Sequence, residues 1–233
     1  MLPNKYLPLL PGMPLKNGIL FFAFHYKSGI GYTKNQEGDA YYPMPEEKKL
    51  SRVAEKYLHR YDEILRKMIL DMNAAPVTGS ISANFIRQML PHHKAAIELA
   101  QNLLLYTTCL PLEQMAESII CTQTQSVEKM EAALPGCASL MNPEQAVYRY
   151  QRRYRQIADT MFYRMGSIPP ENNINGGFMR EMIPHHKGAI EMAKNAMCFF
   201  VCDSLKPILE NIIQTQEQGV KHMEMLLGAL TGC

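Results

Sequence analysis

Tryptophan is absent from this chain, none of its six cysteines forms a Cys-x-x-Cys pair, and no apolar run is long enough to form a membrane helix. Without Cys-x-x-Cys there is no zinc-ribbon or thioredoxin-type signal. The one apolar run of the leader, Gly18 to Phe24, is too short to cross a bilayer and has no clear small-residue cleavage site. Neither a membrane span nor a convincing signal peptide is therefore expected. A net charge of +2 with 20% charged residues gives no strong field of either sign, and basic runs with interleaved aromatics are missing. Nucleic acid is not an expected partner. No Ser or Cys sits in a recognisable nucleophile elbow, which removes support for hydrolase chemistry. No stretch alternates with period 2, so strands are not expected.

What the chain does have is a repeat. Phe85 to Ala100 returns 93 residues later as Phe178 to Ala193. Met89, Pro91, His92, His93 and Lys94 recur as Met182, Pro184, His185, His186 and Lys187, while neighbouring apolar positions exchange Leu for Ile or Met. A duplicated core around a fixed polar unit behaves in this way. The expected organisation is a Pro- and Gly-containing irregular leader over 1–44, a first repeat over 45–140 and a second over 141–233.

Each repeat reads as three long helices. In the first helix Tyr57, Tyr61, Ile64, Met68 and Met72 recur at helical spacing from Pro45 to about Asn73, matched by Tyr150, Tyr154, Ile157, Met161 and Met165. Asn142-Pro143 offers a cap and a first-turn proline to the second copy. The second helix is expected from about Ser82 to Tyr106 and from Asn175 to Phe199, with Ser82 and Asn175 as N-caps. The third runs from about Pro111 to Leu134 and from Ser204 to Leu230, ending in Pro-Gly or Thr-Gly. The fold class is all-α, built as two tandem helical bundles. A third helix of roughly 24 residues is about 36 Å long. It separates Cys109 from Cys137, and Cys202 from Cys233, too widely for a disulfide within one repeat.

On the second helix, placing Met89 at zero puts His92 near about −60° and His93 near about +40°. Phe85, Ile86, Ala96, Leu99 and Leu103 share that sector, whereas Arg87, Lys94 and Glu98 face the other way. Met182, His185 and His186 follow the same wheel. The apolar stripe of the third helix also carries Gln123 and Met130, and Gln216 and Met223. Polar and thioether atoms therefore gather at one level of an apolar interior, and Pro91 and Pro184 break helix propensity beside them. Two adjacent buried histidines per repeat each need a partner, since an unpaired buried polar group costs about 1 to 3 kcal/mol. A shared ion would satisfy them, and imidazole with thioether suits a soft cation such as Cu(I). Ligation through neutral imidazole implies an affinity that falls as pH drops through about 6.5.

The seventeen methionines, taken one at a time, are equally well read as core filler. His25, His59 and His222 have no His counterpart in the other repeat and are left outside the site. A carboxylate-bridged di-iron centre needs inward Glu and Glu-x-x-His units. This chain has no Glu-x-x-His around its histidines, and Glu98, Glu117 and Glu128 fall on the polar sides of their helices.

The segment Phe178 to Ala193, followed by Ile212-Ile213-Gln214-Thr215-Gln216 and Met223, resembles the bacterial domain of unknown function 305 family, and Phe85 through Met130 matches it a second time. That resemblance implies ferritin-like helical bundles and a protein that is often exported to the cell envelope. It also implies copper or silver binding and tolerance, carried by Met89, His92, His93 and Met130 and by Met182, His185, His186 and Met223. Cys121 stands where the second copy has Gln214, and the cysteines and leader depart from the family pattern. The expected function is Cu(I) or Ag(I) storage, buffering or transfer without substrate turnover, one site per repeat, with a copper-donating or copper-accepting protein as partner. The alternative is a structural or interaction bundle whose histidines are satisfied internally, and a third reading is a metal-dependent redox enzyme, which would need an open coordination position and a substrate pocket.

Overall fold

The computed structural model describes residues 49–229, all within one compact unit. The leader expected over 1–44, the last residues of the chain and His25 lie outside them. Among the described residues there are six α-helices and no strand: α1 Arg52–Ala74, α2 Ile81–Leu104, α3 Leu110–Ala138, α4 Glu144–Gly166, α5 Ile174–Met197 and α6 Lys206–Ala229.

The helices form where the apolar period and the caps agree. In α1, Tyr57, Tyr61, Ile64, Leu65, Met68 and Met72 are buried, and Ser51 Oγ caps the start by accepting from the Ala54 N–H at 3.1 Å. The caps of α2 and α5 lie two residues earlier than expected. Ser80 Oγ accepts from Ala83 N–H at 3.1 Å and Asn173 Oδ1 from Gly176 N–H at 2.9 Å. Ser82 is buried inside the first turn, where its hydroxyl accepts from the Cys202 N–H instead. Similarly, α3 continues past Leu134 through Pro135 to Ala138. Its last turn is held from outside, because Ser80 Oγ donates to the Cys137 carbonyl at 2.8 Å.

Within each half the middle helix packs on both others, and the halves join where α2 meets α5 and α3 meets α6. One continuous core results, containing the buried methionines of both halves. Side chains strap it across the join. Tyr57 on α1 reaches Glu181 on α5, and Tyr150 on α4 reaches Gln88 on α2. Asn142, in the link between α3 and α4, accepts from Ile81 N–H and donates to the Phe200 carbonyl. A disulfide joins Cys137, at the end of α3, to Cys202 in the α5–α6 loop, with Cα atoms 5.4 Å apart. It runs between repeats, in keeping with the helix length that forbids one within a repeat.

Candidate metal centre

Helices α2 and α5 run unbroken through Pro91 and Pro184, so Met89, His92 and His93 stay on the buried face of α2, and Met182, His185 and His186 on that of α5. All four imidazoles are at most 2% exposed. Crossing of α2 and α5 brings the two pairs, expected as separate sites, into a single row. The His92 and His185 rings stack at 3.6 Å between centroids, the His93 ring lies 5.8 Å from His92 and the His186 ring 5.9 Å from His185.

The central pair is locked by a reciprocal exchange. His92 Nε2 lies 3.2 Å from the His185 carbonyl oxygen, and His185 Nε2 lies 3.2 Å from that of His92. A carbonyl oxygen only accepts, so each Nε2 carries the hydrogen and each Nδ1 is left with a bare lone pair. Those two Nδ1 atoms, and the Nδ1 atoms of His93 and His186, are buried with no hydrogen-bond partner. Gln123 Oε1 and Gln216 Oε1 are orphaned in the same way.

Burial sets the charge state. It pushes His92 down to about 3, helped by the neighbouring His186 and opposed by the hydrogen bond with the His185 carbonyl. His186 falls to about 4, again through burial, with the Met182 carbonyl pulling weakly the other way. His93 and His185 are also held well below the usual imidazole range by burial and by the charges of the neighbouring rings. The row is therefore neutral at pH 7, and the loss of ligation expected near pH 6.5 moves down with these values.

A second polar layer flanks the row. Tyr57 donates to Glu181 Oε2 at 2.6 Å, and the repeat-related Tyr150 donates to Gln88 Oε1 at 2.9 Å. Burial raises Glu181 to about 8, against the lowering effect of the Tyr57 hydroxyl, so it is protonated at neutral pH. Glu181 then resembles its counterpart Gln88, which is the one signal in the sequence that this carboxyl is inward. Asn102 and Asn195 donate to the Tyr57 and Tyr150 carbonyls, each at 3.1 Å, and fix the outer helices.

Met89, Met130, Met182 and Met223 all lie in the core, each no more than 1% exposed. Met223 and His186 line one cavity of about 300 Å³ between α3 and α6. His222, set aside because the first repeat has Lys129 there, lines that cavity too. Its mismatch with the repeat was the available signal. His59 is elsewhere, exposed beside Glu63. Among the described residues no three His, Cys, Asp or Glu side chains converge into a cation cage.

Fold and site together define an all-α protein of two repeated three-helix units joined at a row of buried imidazoles. The chain belongs to the family described as Domain of unknown function (DUF305), whose profile matches residues 47–134 and 158–229. A crystal structure of a DUF305 fragment from Deinococcus radiodurans is 26% identical, with a TM-score of 0.48, covering 66% of this chain and 99% of that one. No curated protein matches the chain.

Proposed function

We propose that the protein binds a soft cation, Cu(I) first and Ag(I) second, for storage, buffering or transfer rather than for turnover. The observation that carries this reading is the set of four buried, neutral imidazoles, of which His92 and His185, with their Nε2 hydrogens given to carbonyls, hold Nδ1 lone pairs that have no partner. Orphaned buried acceptors are costly, and a cation is the group that satisfies several at once. With no cage of three His, Cys, Asp or Glu, the remaining donors of the core are thioethers, and that pairing favours a soft ion over Mg, Ca or Mn. Met89, Met130, Met182 and Met223 would supply them. The disulfide between Cys137 and Cys202 suits an oxidising compartment, which supports an exported location. A donor or acceptor protein is the expected partner.

A second reading has its own support. The reciprocal His92 and His185 bonds pin α2 to α5, so these two rings serve the join of the halves whether or not an ion is present. Anaerobic Cu(I) titration of the full chain with its Cys137–Cys202 disulfide intact, against a chromophoric chelator, separates the readings. Two equivalents held by the native protein, and none by a folded His93→Ala, His186→Ala variant, is the expected result. Equal retention by both proteins would overturn imidazole ligation and leave the row as a structural join.

A further inference from the structure

The two halves present repeat-related cavities between α3 and α6, and the cavities differ. One, of about 300 Å³, is lined by Met115, Gln216, Gly219, His222 and Met223 and reaches His186. Its counterpart, of about 570 Å³, is lined by Ser126, Lys129, Pro207, Ile208 and Asn211 and does not reach His93. Position by position, Gly219 answers to Ser126, His222 to Lys129 and Met115 to Ile208.

Gly219 accounts for the approach of one cavity to its histidine. A Cβ added there would lie 2.9 Å from His186 Cδ2, closer than packed atoms tolerate, and 3.2 Å from its Nε2, so the ring would have to shift. The missing side chain is what lets the His186 ring meet the cavity, whereas Ser126 occupies the matching place in the first half and is itself buried. The linings differ in chemistry as well. The cavity over His186 offers two imidazoles, two thioethers and the orphaned Oε1 atoms of Gln123 and Gln216. The other offers a lysine ammonium and no soft donor, and a fixed positive charge repels an arriving cation.

We infer that the cavity over His186 is the port through which a soft cation enters and leaves the imidazole row, with His222 and Met115 as receiving groups, while the matching route to His93 is closed. This rests on the reading of the protein as a soft-cation binder. Gly219→Ser copies the first half into the second, and Ser126→Gly does the reverse.

Two measurements on the full chain decide the matter. In the metal-free protein, diethyl pyrocarbonate labelling followed by peptide mass spectrometry should modify His186 at least about tenfold faster than His93. Gly219→Ser should abolish that excess, and Ser126→Gly should raise the labelling of His93 toward that of His186. In the Cu(I)-loaded protein, Gly219→Ser should slow removal of the ion by a chelator about tenfold at unchanged stoichiometry, and His222→Ala should slow it severalfold. Equal labelling of His93 and His186 in the native protein would overturn the port, and so would unchanged Cu(I) removal from Gly219→Ser. If the native protein holds no Cu(I), the reading as a cation binder fails and the port falls with it. If it holds Cu(I) and only the Gly219→Ser effects are missing, the port alone fails. Should Gly219→Ser not fold, the labelling of Ser126→Gly still decides.

Discussion

The first half of the described fold, α1 to α3, and the second, α4 to α6, repeat each other closely where α2 meets α5 and part company where α3 meets α6. Tyr57 and Tyr150, Asn102 and Asn195, and His92 and His185 make matching contacts, and even the exposed ion pairs Lys94–Glu131 and Lys187–Glu224 correspond. At the α3–α6 contact Ser126 and Lys129 correspond to Gly219 and His222, and beside the α2–α5 join Gln88 corresponds to the ionisable Glu181. Positions that touch their own image across the join are tied together. Positions that do not are free to diverge, and it is there that the two halves acquire different chemistry.

The largest effect should come from acid, because it strikes the matched part. Each imidazole of the row stays neutral in the folded, metal-free protein well below 6.5, the value at which it takes a proton when unfolded. Below 6.5 the unfolded chain binds more protons, so each histidine removes about 1.4 kcal/mol of stability per pH unit as pH falls. Glu181 has the opposite sign. Its folded value is raised to about 8, so its stabilising share is complete below 4.5 and is lost as pH rises through 8. Four histidines against one glutamate leave a net loss of about 4 kcal/mol per pH unit between pH 6 and 5. Acid unfolding followed by circular dichroism should therefore be complete by about pH 4. A metal-free protein still fully folded there would break the equivalence of the four rings.

Next in size is the covalent link between the halves. The disulfide spans 65 residues, and loop-closure entropy assigns such a bridge about 4 kcal/mol. Cys137→Ser with Cys202→Ser should lower the unfolding free energy in urea by about that amount with helix content unchanged. A loss of under about 1 kcal/mol would mean that the α2–α5 join alone holds the halves.

The smallest effect concerns Glu181 and its counterpart Gln88. Glu181→Gln makes the second half copy the first. It should gain about 1.4 kcal/mol over the native protein between pH 7 and 9, as the native carboxyl is forced to ionise in the interior. A difference between the two proteins that does not change with pH would show that Glu181 does not titrate in that range.

The helices were legible in the sequence because period, caps and the duplication agree, and the buried orientation of His92, His93, His185 and His186 followed from the wheel alone. Errors of two residues at Ser80 and Asn173 are the ordinary cost of choosing between neighbouring polar residues as caps. The meeting of the two histidine pairs was not legible. A repeat specifies what each half buries within itself, but the pairing of α2 with α5 depends on surface shape across a hundred residues of chain. His222 and Gly219 escaped for the opposite reason, since a search for what recurs passes over the positions where the copies differ.

The reciprocal bonds between His92 and His185 have one more consequence. Contacts of this kind, in which one residue meets its own image, are what an isologous dimer of identical subunits would make. In such a dimer every substitution appears twice, and a change that opens one side opens the other. Because a single chain runs through both halves here, glycine can stand at 219 while serine stands at 126. Covalent continuity thus allows a symmetric join to carry two unlike sides, which gives an assembly of otherwise equal parts a direction.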